Sequence, residues 1–331
     1  MKLTILGTGS YLPEQVVTND DMGKIVETSD EWMRTRTGIE SRHYSNGESV
    51  WYMGTRAATQ ALRRSGLSAD ELDAIIVTSV TPDFMCPTVS CIIQAELGAV
   101  NAFCIDINVA CSGYLYALDM AANYLANPKY ENILVVGSEM LTCRTNFEDR
   151  TTCVLFGDAA SATIVSSNGD GELLATKLGA DGTGGHTLIS ANNQPRHPFL
   201  PDNWKEEYPP RYEWESTDIF MAGNDVYRFA VTTMPQSIEH VLKEANVPIE
   251  EMSYLIPHQA NYRILEASAK RLRYPMEQVY SGLRTTGNTS SAGLGVGIDE
   301  CLRDGTIKKG DIVGLTGFGG GLTYGAMLIR I

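Results

Sequence analysis

Short apolar runs alternate along the chain with longer stretches in which apolar residues recur about every third or fourth position. This is the pattern of strands interleaved with amphipathic helices in an α/β protein. The runs predict strands over Leu3–Leu6, Ala74–Ser79, Ala102–Ile107, Asn132–Gly137, Thr152–Phe156, Ala162–Ser166, Leu173–Leu178, Tyr254–Ile256, Ile312–Thr316 and Tyr324–Ile329. The periodic stretches predict helices over Ser49–Ser65, Val89–Leu97, Ser112–Ala126, Asp225–Glu244, Gln259–Leu272 and Ser291–Arg303. Gly66, Gly98, Gly305 and Pro275 stand at or just past helix ends, where such residues stop a helix. Pro235 falls inside Asp225–Glu244 and is expected to kink or split it.

The pattern repeats. An acidic turn leads into an apolar strand at Glu71–Ile76 and again at Glu251–Ile256. Asn132–Gly137 has its counterpart in Asp311–Thr316, each preceded by a helix and followed by another strand. A duplicated βα unit is expected, with halves 1–170 and 171–331. Asp181–Thr217 is unlike either half, being rich in Gly, Pro, Asn and aromatics, and is expected to be a long, partly packed functional loop.

Composition narrows the class. The chain has 331 residues, 43% of them hydrophobic and 20% charged, enough for a large core. No apolar run approaches the roughly 18 residues of a membrane helix, and the N-terminal run, broken by Gly7 and Gly9, reads as a strand and not a signal peptide. A net charge of −14 argues against nucleic acid as a partner. The cysteines, 7 in number, contain no CxxC pair, which predicts free thiols in the cytoplasm. The histidines lack metal-ligand spacing, so no metal is expected.

Cys111 in DINVACSGY differs from the other cysteines in following a strand and preceding a helix. A thiol at a helix N-terminus meets unpaired N–H groups that favour the thiolate, a nucleophile for acyl carbons. His258 follows a strand in LIPHQAN, and Asn288 opens the turn GNTSS before a helix. Functional groups of α/β folds collect at such strand ends. Taken singly, each has a blander reading as a buried thiol, a satisfied histidine or an N-cap.

Together and in this order, these segments resemble the β-ketoacyl-acyl carrier protein synthase III family of the thiolase superfamily. The resemblance spans the chain: Ser29–Trp32 with Arg34–Ile39, Ala110–Gly113, Phe156–Ala160, Met221–Asn224, Pro257–Asn261, Gly287–Ser290 and Phe318–Gly321. It implies a thiolase-like duplicated fold, layered α-β-α-β-α with two five-stranded mixed sheets. It implies that an acyl-CoA loads Cys111 and that malonyl-acyl carrier protein is then condensed with loss of CO2. His258 and Asn288 would donate to the enolate oxygen, and the Cys111 and Gly320 amides would hold the oxyanion. Phe318 would wall the malonyl carboxylate. Trp32, Arg36, Arg150, Gly223 and Tyr227 would hold coenzyme A, which is substrate and not cofactor. Arg263, Lys270, Arg271 and Arg228 would form a local basic face for the acidic carrier protein.

The resemblance also implies a homodimer through the Ala102–Ile107 strand, with Cys86 at the base of the partner subunit's acyl pocket, where its small size would admit a longer or branched primer. Two departures stand out: Gly293-Leu294-Gly295 replaces a common Ser-Ile-Pro and reads as a looser helix start, and the 181–217 loop is long. Three alternatives remain. A dinucleotide-binding oxidoreductase fails because Gly7-Thr8-Gly9 lacks the third glycine, Leu12 and Pro13 following instead. A non-catalytic scaffold would have lost Cys, His or Asn. The third is a relative serving specialised-metabolite acyl transfer or condensation.

Overall fold

The two matched segments fold alike. In the computed structural model, which describes residues 1–192, 198–207, 209–212 and 214–331, a 3-10 turn at Ala69–Glu71 enters the strand Ala74–Thr78, and another at Ile249–Glu251 enters Met252–Pro257. Each strand pairs in parallel with a later strand of its half, Asn132–Met140 or Ile312–Gly319. Each of those pairs antiparallel with the strand that follows, Asp158–Ser166 or Thr323–Arg330. Thr4–Tyr11 and Glu172–Ala180 then close the two sheets antiparallel at equivalent edges.

The first sheet has 5 strands, with Phe103–Ile107 at the far edge, and the second has 4. The family resemblance implies five in both. In the second half the fifth strand shrinks to a single parallel bridge between Leu255 and Val279, because the 3-10 turn Met276–Gln278 takes up the preceding residues.

Two helices lie between the sheets, Gly113–Leu125 and Ala292–Arg303. Leu115, Leu118, Leu294 and Ile298 pack with Ile76 and Val135 of one sheet and Ile256, Val313, Leu315 and Met327 of the other in one buried cluster. The outer faces are covered by other helices, including Val50–Ser65 and Gly223–Ala245. A side chain at Gly9 would stand 2.1 Å from the Ala57 carbonyl oxygen, so that glycine serves helix–strand contact and not a phosphate.

Several expected elements move. Thr152–Phe156 is not a strand. Asp149 caps a short helix, Arg150–Cys153, and the apolar residues that follow are buried against Met22, Met33 and Leu265. A short buried apolar run does not distinguish strand from other core backbone. The helix expected from Gln259 starts at Tyr262, where the Asn261 side chain accepts the Arg263 N–H. Gly223–Ala245 runs on through Pro235 without splitting. Gly293 and Gly295 do not loosen their helix: every residue from Ala292 to Asp299 is buried.

Candidate active site

Cys111 sits where the sequence placed it, in a 3-10 turn, Ala110–Ser112, between the edge strand and the first central helix. The turn is fixed from several sides. Ala110 adopts a left-handed φ of 47°, a local strain of the kind that concentrates at functional sites. The Ser112 hydroxyl is 2.9 Å from the Val109 carbonyl and 2.7 Å from Thr323 Oγ1. Gly319 passes so close that a Cβ there would lie 2.6 Å from the Cys111 nitrogen. Only a residue without a side chain permits that approach. The Gly320 N–H has no backbone acceptor among the described residues, and the Cys111 N–H lies in the 3-10 turn that leads into the helix Gly113–Leu125.

The thiol is not the ready thiolate that the helix start suggested. Burial pushes the Cys111 pKa up to about 12, and the Ser290 hydroxyl, 3.3 Å from Sγ, pulls only partly the other way. Desolvation outweighs the helix end here.

His258 and Asn288 come from the other half and line the same cavity of about 800 Å3 as Cys111 and Phe318. The His258 backbone N–H donates to the Thr316 carbonyl at 2.7 Å, which ties it to the strand Ile312–Gly319. Its ring meets Phe318 edge to face at 5.4 Å and is 1% exposed. Burial lowers its pKa to about 4, so the imidazole is neutral at physiological pH. Nδ1 is buried without a partner among the described residues. Asn288 is fixed by its backbone, with its N–H on Leu155 O at 2.8 Å and its carbonyl accepting from Gly157 at 3.0 Å.

The cavity runs from these buried groups to an exposed rim. Trp32, Arg36, Gly223, Tyr227 and Arg263 line it, with the Arg263 guanidinium 6.0 Å from the Tyr227 ring. Arg150 is outside the lining; its guanidinium stacks 5.1 Å from the Trp32 ring and donates to the Glu27 carbonyl. Lys270 and Arg271 are exposed in the last turn of Tyr262–Leu272, away from the cavity. Arg228 is exposed but engaged by Asp225 at 2.9 Å. Cys86 is exposed and does not line the cavity of its own chain. Of the 181–217 loop, Leu188–Asn192 form part of the wall; residues 193–197, 208 and 213 of that loop lie outside the described residues. Among the described residues no group of three or more His, Cys, Asp or Glu could hold a metal, and no helix is long and apolar enough to cross a membrane.

Two residues were missed. Ser290 had been read only as part of a helix cap. Glu139 is a fully buried carboxyl at the end of a strand, near both Ser290 and Cys111, and burial pushes its pKa up to about 7. A lone acid ending the apolar run ILVVGSEM was the available signal.

A cysteine in the turn before one central helix, with an imidazole and a carboxamide from the other half lining the same cavity of a duplicated α/β fold, is an arrangement suited to acyl transfer of the condensing class. The comparisons agree. Residues 105–182 match the family described as 3-oxoacyl-[acyl-carrier-protein (ACP)] synthase III, and residues 242–331 match its C-terminal part. The β-ketoacyl-[acyl-carrier-protein] synthase III of Caldanaerobacter subterraneus is 44% identical over 328 residues, 98% of this chain and 97% of that one. That of Clostridium acetobutylicum is 41% identical over 326 residues, 98% of both chains. The crystal structure of 3-oxoacyl-[acyl-carrier-protein] synthase III from Aquifex aeolicus superimposes with a TM-score of 0.90 at 41% identity, covering 99% of this chain and 100% of that one. The chain belongs to the β-ketoacyl-[acyl-carrier-protein] synthase III family and is a condensing enzyme of fatty acid synthesis.

Proposed function

We propose that Cys111 takes an acyl group from acyl-CoA and that the acyl-enzyme is then condensed with malonyl-acyl carrier protein, giving a β-ketoacyl-acyl carrier protein. The observation that carries this reading is the convergence of Cys111, His258 and Asn288 on one cavity. The thiol adds to the thioester carbon while the Cys111 and Gly320 amides receive the oxyanion. In the second step the malonyl unit loses CO2, and the negative charge grows on its thioester oxygen. A neutral imidazole and a carboxamide suit that step: both donate and neither needs to be charged. Phe318 presents an apolar face that disfavours a carboxylate and favours its departure as CO2.

Trp32 and Tyr227, with Arg36, Arg150 and Gly223 beside them, are assigned to coenzyme A, aromatic faces meeting the adenine and guanidinium groups the phosphates. Coenzyme A arrives as part of the substrate, and the chemistry asks for no cofactor. Arg263, Lys270 and Arg271 form the docking face for the acidic carrier protein; Arg228, already paired, contributes less. The Phe103–Ile107 edge strand supports a homodimer, since an unpaired edge invites a second copy. Exposed Cys86 would then meet the partner's acyl pocket and leave room for longer or branched primers. The enzyme works in the cytoplasm, and the halves 1–170 and 171–331 descend from one duplicated unit. The specialised-metabolite alternative is not favoured, because full-length relatives near 40% identity carry the synthase III name.

Incubation with acetyl-CoA and malonyl-carrier protein tests the assignment. Acyl mass on the Cys111 peptide, CO2 release and their loss in Cys111→Ala are expected. Turnover that survives Cys111→Ala overturns it.

A further inference from the structure

Behind Cys111 lies a hydrogen-bonded chain that the loading and condensation steps do not yet use. Ser290 donates its hydroxyl to Cys111 Sγ at 3.3 Å, and the same hydroxyl is a hydrogen-bonding neighbour of the Glu139 carboxyl. Ser290 is held in place: its φ is 50°, and its N–H donates to Asn288 Oδ1 at 2.9 Å. Glu139 is 0% exposed. Its Oε1 accepts from Ser291 at 2.5 Å, and its Oε2 from the Val80 N–H at 2.9 Å and the Ser79 and Thr81 hydroxyls at 3.3 Å.

The groups facing Glu139 come from four elements. Cys111 lies on the turn before the first central helix, Ser290 and Ser291 at the start of the second, and Ser79–Thr81 in the loop after Ala74–Thr78. The 3-10 turn Leu141–Arg144 brings Cys143, the other thiol within electrostatic reach. Among the described residues no Lys, Arg or His forms an ion pair with Glu139. The groups that hydrogen-bond Glu139 are hydroxyls and backbone N–H groups, none of them a cation, and the nearest cationic side chain of these elements is Arg144, on the same turn as Cys143.

We propose that Glu139 receives the Cys111 proton through the Ser290 hydroxyl during acyl loading and returns it during condensation. This rests on the acyl-loading role of Cys111. In loading, the bond from Sγ to the acyl carbon forms and the bond from that carbon to the coenzyme A sulfur breaks. The thiol proton passes to Ser290 Oγ, the hydroxyl proton passes to Glu139, and the departing coenzyme A sulfur takes a proton from water. In condensation, the malonyl carboxylate leaves as CO2, the new carbon–carbon bond forms, and the bond from Sγ to the acyl carbon breaks. The sulfur departs as thiolate and recovers the proton from Glu139 through Ser290. One proton from solvent is consumed per cycle, which balances the loss of the malonate charge. The hydrogen-bonded chain gives the thiol proton an acceptor, and burial, which raises both the Cys111 thiol and the Glu139 carboxyl, suits that carboxyl to passing the proton in both directions.

The test is single-turnover loading of Cys111 by acetyl-CoA, followed by peptide mass between about pH 5.5 and 8.5 on the intact enzyme and on Glu139→Gln, Ser290→Ala and Ser291→Ala. The native rate is expected to rise with pH through an apparent pKa of about 7. Glu139→Gln and Ser290→Ala should each slow loading on the order of 100-fold and abolish that pH dependence. Ser291→Ala, which removes a tether but no relay atom, should keep it. Loading by Ser290→Ala at the native rate and with the native pH profile overturns the relay, whatever Glu139→Gln does. So does a Glu139→Gln enzyme that is uniformly slower but keeps the pH profile. Ser290→Ala decides the matter if Glu139→Gln does not fold. Absence of native loading on Cys111 would instead overturn the proposed function itself.

Discussion

The carboxamide oxygen of Asn288 accepts the backbone N–H of Ser290 at 2.9 Å. This bond fixes the orientation of the amide: Oδ1 is committed to the turn, which leaves Nδ2 as the end able to donate in the proposed condensation step. Asn288→Asp keeps the acceptor and removes the donor, placing a negative charge where charge must develop. Condensation, followed as CO2 release, should fall about 100- to 1000-fold. Acylation of Cys111 should stay within a few-fold of native.

His258 should leave a mark on stability as a function of pH. Its folded pKa of about 4 lies below the ordinary 6.5, so the unfolded chain binds the proton first as pH falls. The stability associated with the neutral ring is fully present above pH 6.5 and is lost progressively down to about pH 4. The full loss is about 3 kcal/mol. Urea denaturation at pH 7 and pH 4.5 should show a smaller drop for His258→Gln than for the native chain.

Trp32 is expected to act through binding and not through chemistry. Removing an aromatic face that stacks on a base costs about 1–3 kcal/mol. Trp32→Ala should therefore weaken coenzyme A binding about 5- to 150-fold by titration calorimetry. Loading from a short pantetheine thioester, which lacks the adenine, should be nearly unchanged.

Lys270 and Arg271 stand off the cavity, so the proposed docking role can be tested apart from loading. The double change Lys270→Glu, Arg271→Glu should raise KM for malonyl-carrier protein on the order of 10-fold, more at low salt than at high. Acyl-CoA loading should not respond. Equal loss of both half-reactions would remove the carrier-protein role.

Gly295→Ala tests the packing of the central helices. A Cβ there would lie 2.2 Å from Ser161 Oγ and 2.5 Å from the Tyr114 ring, whose hydroxyl is held 2.8 Å from Thr163 Oγ1. Alanine favours the helix intrinsically by about 1 kcal/mol. Overpacking costs about 1–3 kcal/mol and should dominate, giving a lower denaturation midpoint.

Much of this was legible in the chain. The repeated turn-and-strand pattern gave the duplication, and strand-end placement singled out Cys111 and His258. What escaped depended on partners far away in sequence. The run from Thr152 to Phe156 looked like a strand because it is apolar, but its burial comes from residues such as Met22 and Leu265 in a separate cluster. The state of the Cys111 thiol could not be read from its helix position, since desolvation depends on everything packed above it. Gly319 and Gly320 are indistinguishable in a Gly-Gly-Gly run until the Cys111 nitrogen is seen against one of them.

The sulfur belongs to the first repeat, and the imidazole and carboxamide to the second. On the proposed mechanism, turnover gauges how the repeats are registered on each other. A slip of an ångström along the two central helices could silence the enzyme while both sheets stayed intact. Substitutions deep between those helices would then look catalytic in an assay without touching a reacting atom.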